Sequence, residues 1–253
     1  MTDPTQRFSS RVNDYIAYRP GYPAAILKLL AEECGMTHDS VVADVGSGTG
    51  IWSESLLENG ARVFGVEPNR EMREAGERLL RNHIRFTSIA ATAEATRLAD
   101  QSVDLVTVAQ AFHWFNRERT RAEFVRILKP GGWVVLIWND RRTDSTPFLR
   151  AYEGLLREFA TDYAQVNHRH IDDAVIGGFF APQPFRLRVF ENRQSLDFDG
   201  AKGRLLSSSY TPEASHPKHE GMLRELKAIY DAHQRDGTVV FEYDTKVYLG
   251  NLS

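Results

Sequence analysis

The sequence predicts a doubly wound α/β fold: a seven-stranded, mostly parallel sheet with helices on both faces, its last strand pair antiparallel at one edge, plus a helical cap. Three observations predict it. Five short apolar runs alternate with helix-like stretches between residues 22 and 139. The runs are near-continuous in apolar residues, as in parallel strands buried on both faces. After Asn139 the rhythm breaks, and two late segments alternate apolar with polar residues, which suits an antiparallel addition to one sheet edge.

Each element has a local reason. "YPAAILKLLAEEC" (22–34) carries apolar residues at helical spacing, and Gly35 is a natural stop. "VVADV" (41–45) is the first strand. "GSGTG" follows, then a helix from "IWSESLLENG" that ends at Gly60. "RVFGVE" (62–67) is the second strand, and Asn69 caps the helix "REMREAGERLL". "IRFTSI" (84–89) and "VDLVTVA" (103–109) are the third and fourth strands. "RERTRAEFVRIL" is a helix closed by "KPGG", and "WVVLIWN" (133–139) is the fifth strand. Residues 147–180 read as helical and mixed, ended by Pro182 and Pro184. "FRLRVFENRQSLDF" (185–198) and "GTVVFEYDTKVYLGNL" (237–252) alternate as strands, with a helical stretch around 214–235 between them.

The chain is 253 residues long with 42% hydrophobic and 26% charged residues, an ordinary globular composition able to bury a sizeable core. Its formal net charge is −3, so no global basic field draws in nucleic acid or an anionic membrane. Cys34 is the one cysteine, which excludes an internal disulfide and a cysteine-based zinc site. "MTDPTQRFSSR" lacks the apolar core of a signal peptide, and "WVVLIW" is too short to span a bilayer. A cytoplasmic protein with no membrane partner is the expectation. With no Gly/Ser linker, residues 1–253 are expected to form one domain: a lid and helix over 1–35, a cofactor-binding core over 36–139, and a substrate cap with the late strands over 140–253.

"DVGSGTG" (44–50) joins a strand to a helix, where glycines let the backbone turn tightly and approach a ligand. The spacing is G-x-G-x-G, not the G-x-G-x-x-G of dinucleotide folds, and no G-K-[ST] follows, which excludes a phosphate loop. Glu67 ends the second strand about twenty residues after the first glycine. A carboxylate there accepts hydrogen bonds from both ribose hydroxyls of an adenosine.

On these residues the chain resembles the class I S-adenosylmethionine-dependent methyltransferases, in particular the small-molecule, type 11-like branch similar to trans-aconitate and ubiquinone-biosynthesis methyltransferases. "VVADVGSGTG", "VFGVEPNREM", "ATAEATRLADQSVDLVTVAQAFHWF" and "RILKPGGWVVLIW" match the family's successive motifs. "YIAYRPGYP" resembles a lid segment. The resemblance implies a Rossmann-like fold, S-adenosylmethionine as cofactor with S-adenosylhomocysteine as product, no metal, and in-line displacement of the methyl group onto an acceptor. It implies a cofactor site of Asp44, Gly46, Ser47, Gly48, Glu67, Pro68, Met72, Thr92, Ala93, Glu94 and Gln110, with Tyr15 and Arg19 from the lid. Many relatives carry an aspartate where Thr92 stands, so adenine recognition here is expected to use backbone near Thr92 and Ala93.

Three acceptor classes are disfavoured. "AQAF" replaces the Asn/Asp-Pro-Pro-aromatic motif of base amino methylation, Cys34 is misplaced for base C5 methylation, and "QAFHWFN" lacks the carboxylates of metal-assisted catechol methylation. A small organic acceptor methylated on a carboxylate or hydroxyl oxygen remains. A carboxylate would need no general base and would suit Arg19, Arg141, Arg142 and His113, although Arg141 and Arg142 are equally readable as solvated and Arg19 as a surface cation beside Pro20. His113 is the candidate catalytic residue, as base or orienting donor; the alternative is a structural histidine. Trp114 and Phe115 read as pocket wall or core. "SSSY" (207–210) and "YDTKVY" (243–248) recur in relatives and read as turn and edge strand. The competing functions are a non-catalytic cofactor-binding partner subunit, an NAD-dependent enzyme, and methylation of RNA or protein.

Overall fold

A computed structural model describes residues 11–161, 163 and 172–252. Residues 1–10 of the expected lid, 162 and 164–171 of the expected cap, and Ser253 lie outside the described residues. Seven strands, β1 (Val41–Val45), β2 (Arg62–Val66), β3 (Phe86–Ile89), β4 (Val103–Ala109), β5 (Leu128–Arg141), β6 (Phe185–Leu196) and β7 (Val239–Gly250), form one sheet. Its order is β3-β2-β1-β4-β5-β7-β6. β1 to β5 pair in parallel. β7 runs antiparallel between β5 and β6, as the alternating late segments predict. Strand order reverses between β1 and β4, so the carboxyl ends of these two strands open a crevice.

The helices are α1 (Val12–Tyr18), α2 (Ala25–Cys34), α3 (Ile51–Glu58), α4 (Arg70–Leu79), α5 (Arg117–Ile127), α6 (Pro147–Phe159), α7 (Asp173–Phe180), α8 (Phe198–Leu206) and α9 (His219–His233). β5 shows why its run is continuously apolar. Val134, Leu136 and Trp138 pack with Phe124 of α5 and Phe179 of α7 on one face. Val135 and Ile137 pack with Leu30 of α2 and Leu56 of α3 on the other. Burying a side chain of this size contributes roughly 1.5–3 kcal/mol, so both faces need apolar residues. A third core joins α6, α8 and α9 through Tyr152, Leu205, Leu226 and Phe241. No described helix is long and apolar enough to cross a membrane.

Besides α1, which forms a helix where only a lid segment was expected, two elements differ from expectation. β5 starts at Leu128, not Trp133: "KPGG" lies inside a bulged start where the register against β4 shifts between Val103 and Leu105. α8 was not expected, because "FDGAKGRLL" carries two glycines. Asp197 caps it by accepting from the Gly200 N–H at 2.8 Å. Gly203 sits where α1 crosses, and a Cβ there would fall 2.0 Å from the Tyr18 ring. The glycine that weakens the helix signal is what lets the lid helix dock.

Candidate active site

The site begins with backbone. Past β1, Gly46 and Ser47 donate their N–H groups to Val66 O at 2.8 and 3.2 Å, tying the loop to β2. Gly46 and Gly48 hold φ of +72° and +57°, a region L side chains rarely adopt. A Cβ on Gly46 would stand 2.4 Å from the Ala111 Cβ. Glu67, 8% exposed, accepts from Gly48 N–H at 2.9 Å and Asn69 N–H at 2.8 Å. Burial pushes its carboxyl above the usual carboxylate range, and the two N–H groups pull back. Asn69 also caps α4 through Met72 N–H at 2.8 Å. One short segment thus aims Glu67 and seats Met72.

Two cavities open here. The first, about 220 Å³, is lined by Gly46, Gly48, Glu67, Pro68, Asn69 and Met72, by Thr92, Ala93 and Glu94, and by Trp114 and Phe115. Glu94 fixes one wall by accepting from the Asn116 N–H at 2.9 Å. The second, about 110 Å³, is lined by Arg19, Asp44, Ser47, Thr49 and Trp52 and continues to Tyr22, Asn139, Arg141, Tyr163, Arg204 and Tyr210. Tyr15, Gly46, Ala109 and Gln110 line both, so the cavities meet at the strand-order reversal. Gln110 turns the chain there with φ +62°, a left-handed conformation that costs a non-glycine residue roughly 1–2 kcal/mol. All thirteen residues expected to hold the cofactor line one cavity or the other.

The second cavity is lined by charged side chains. The Asp44 carboxylate, 1% exposed, accepts from Ser53 Oγ at 2.6 Å and Thr107 Oγ1 at 3.3 Å. It therefore ties β1 to α3 and β4. Burial raises its pKa to about 7. Arg19 donates to Ser207 O at 2.7 Å and lies 4.9 Å from the Tyr15 ring centroid. Burial, then the charge of Arg204, lowers its pKa. The solvated reading of Arg141 and Arg142 gives way to ion pairs. Arg141 is buried and donates to Glu153 at 2.6 Å; Arg142 pairs with Asp244 at 2.7 Å, away from both cavities. Asn139 and Asn192 both donate to Gly21 O, at 3.1 and 2.9 Å, which holds the lid segment down.

His113 is placed differently from its neighbours. It sits half-buried on a 3-10 turn (Phe112–Trp114), its ring 4.5 Å from that of Trp114. Trp114 and Phe115 line the first cavity; His113 lines neither. Phe112 is fully buried core, 4.7 Å from Phe179 between ring centroids.

Tyr22, Asn139, Tyr163, Arg204 and Tyr210 line the second cavity without having been singled out as site residues. The signal available was "SSSY" and "YDTKVY". Beyond turn and edge strand, these supply Ser207 O to Arg19, Ser208 Oγ and Tyr243 Oη to Arg204, and Tyr210 to the wall.

The residues fit the cofactor that the resemblance implies. Glu67 presents a carboxylate to the first cavity where a ribose needs an acceptor. Arg19 Nε, Thr49 Oγ1 and Trp52 Nε1, on residues lining the second cavity, are buried with no hydrogen-bond partner among the described residues. Unpartnered buried polar atoms are rare and call for a ligand or water. Among the described residues no three His, Cys, Asp or Glu side chains group as metal ligands.

Fold and site together define a Rossmann-like α/β protein with a glycine loop and an acidic second-strand end at the sheet's switch point. A family model described as "Methyltransferase domain" matches residues 43–136. The chain is 33% identical over 156 residues to an uncharacterized methyltransferase-like protein of Schizosaccharomyces pombe, covering 61% of this chain and 59% of that one. It is 32% identical over 167 residues to a Saccharomyces cerevisiae protein named as a probable S-adenosylmethionine-dependent methyltransferase, covering 62% and 56%. The chain thus spans less than two thirds of the length of these curated relatives. A solved structure from Anaeromyxobacter dehalogenans, described as a candidate type II methyltransferase, shares the fold with a TM-score of 0.67 at 23% identity, covering 93% of this chain and 99% of that one.

Proposed function

We propose that the chain transfers a methyl group from S-adenosylmethionine to a small organic acceptor, at a carboxylate or hydroxyl oxygen. The observation that carries the cofactor half is Glu67, its carboxylate fixed by Gly48 and Asn69 N–H groups and facing the cavity that begins at the glycine loop. Glu67 accepts from the ribose hydroxyls, while Met72, Pro68 and the backbone at Thr92 and Ala93 enclose the adenine. Arg19 takes the methionine carboxylate and Asp44 the ammonium. When bound, S-adenosylmethionine supplies an electrophilic methyl carbon on a sulfonium. The chain's task is then placement, with the acceptor oxygen about 3 Å from that carbon, and exclusion of water.

An oxygen acceptor that arrives ionised suits the second cavity. No histidine lines it, and burial keeps the Tyr22 phenol protonated, so Tyr22 donates rather than abstracts. The test is titration with S-adenosylhomocysteine, then labelled-methyl transfer across a panel of organic acids and phenols. Binding with turnover on a small acceptor supports the reading. Failure to bind S-adenosylhomocysteine removes it, and binding without turnover on any acid or phenol removes the acceptor half.

A further inference from the structure

The second cavity is lined by three arginines, and their surroundings differ. Arg141 is neutralised by Glu153 at 2.6 Å. Arg19 donates to Ser207 O at 2.7 Å, close enough to Arg204 to feel its charge, and is the arginine to which the proposed cofactor brings its own carboxylate. Arg204, on α8 at the cap end, is 6% exposed and has no carboxylate within ion-pair distance among the described residues. Its Nε donates to Tyr243 Oη at 3.1 Å and its Nη1 to Ser208 Oγ at 3.2 Å, and its guanidinium lies 5.9 Å from the Tyr243 ring centroid. All of these partners are neutral. A buried charge is retained at large cost unless something of opposite sign compensates it.

The acids on the same lining do not serve it. Asp44 is held by Ser53 and Thr107, and Asp140 by Lys246 at 3.0 Å. The same cavity is also lined by Tyr22, Tyr163, Tyr210 and Asn139. Burial keeps Tyr22 protonated, so it can donate, while Tyr163 already donates its proton to Glu153 at 2.8 Å. With the proposed cofactor's carboxylate on Arg19, the Arg204 guanidinium is the one left without a counter-ion among the described residues, which matches a single negative charge. α8 is also held rigidly for such a role, by the close crossing of Tyr18 over Gly203.

We propose that Arg204 anchors the methyl acceptor, and that the acceptor is a small organic acid whose carboxylate is the missing counter-ion of this arginine. This rests on the methyltransferase reading of the adjoining cavity. The test uses the full chain saturated with S-adenosylhomocysteine, titrated calorimetrically with benzoate, cinnamate and succinate, each against its neutral amide, at constant ionic strength. At least one acid is expected to bind about tenfold or more tightly than its amide. Arg204→Gln should lose that preference, and Arg204→Lys should keep part of it, with S-adenosylhomocysteine affinity unchanged in both. Circular dichroism checks that the variants fold; if Arg204→Gln does not, the wild-type acid-against-amide comparison and Arg204→Lys decide. Acids binding no better than amides, or binding Arg204→Gln as well as wild type, overturns the proposal. Absence of S-adenosylhomocysteine binding shows earlier, before any acid is added, and removes the reading beneath it instead.

Discussion

Glu67 and Arg204 are both charged and nearly equally buried, 8% and 6% exposed, and they stand in adjoining cavities. Their support differs. Glu67 is held by backbone N–H groups of the glycine loop and of Asn69, two residues on, so a short stretch of sequence specifies its geometry. Arg204 is held by hydroxyls 4 and 39 residues away, Ser208 and Tyr243, brought together by the cap and the last strand. The proposed cofactor side is a local motif around one strand-end. The proposed acceptor side is an assembly of distant residues.

The largest expected effect lies on the motif side. Gly46→Val adds a Cβ 2.4 Å from the Ala111 Cβ at a φ of +72°. The strained loop should weaken S-adenosylhomocysteine binding by more than about 100-fold, read by calorimetry, with circular dichroism confirming the fold. Next comes a contrast within the acceptor side. Arg141→Met strands Glu153 and should cost about 3 kcal/mol, the low end for a broken buried pair, because Tyr163 and Arg157 still reach Glu153. Arg204→Met strands no carboxylate and should change ligand-free stability by less than about 1 kcal/mol. Equal losses in urea melts would break the distinction drawn between the two arginines. Glu67→Gln turns an amide N–H₂ toward a backbone N–H and removes a charged acceptor, so cofactor affinity should fall roughly 30-fold.

A pH dependence sharpens the same comparison. Burial raises the Asp44 pKa from 3.8 to about 7 in the ligand-free protein. The native state keeps this proton where the unfolded chain has released it. The stability from Asp44 is therefore full below about pH 4 and lost as pH rises to about 7. An ammonium beside Asp44 reverses the preference, since it favours the ionised form. S-adenosylhomocysteine affinity should then rise by up to about tenfold per unit between pH 5 and 7 and level off above. Asp44→Asn should flatten the profile; a wild-type profile already flat would remove Asp44 from the ammonium.

How much of this was legible follows the same division. β1 and β4 are read to the residue from "VVADV" and "VDLVTVA", because burial on both faces leaves a continuous apolar run. The residues expected to hold the cofactor come from the resemblance, whose motifs cluster at the glycine loop and strand ends and act over a few positions. α8 and Arg204 were not legible. Gly200 and Gly203 lower helix propensity, and only the crossing of Tyr18 explains Gly203. An arginine in "AKGRLL" reads as a solvated cation until the cap closes over it. Arg141 misled for the same reason: its partner Glu153 lies 12 residues on, across a helix start that the strand pattern does not reveal.

The smallest expected effect concerns His113, which carries the strongest chemical suggestion in the sequence. Its neighbours face the first cavity: Trp114 and Phe115 line it while Phe112 plugs the core. A short 3-10 turn spreads successive side chains by about a third of a revolution each, so four residues in a row cannot share one face. His113 falls on a side that meets neither cavity. A general base must reach the proton it removes, directly or through one water. His113→Ala should therefore leave turnover within about threefold of wild type, with unchanged cofactor affinity and no lost limb in the pH profile of kcat. If turnover is lost while S-adenosylhomocysteine still binds, the turn must rearrange in the reacting complex, and the acceptor side gains a base drawn from the motif side.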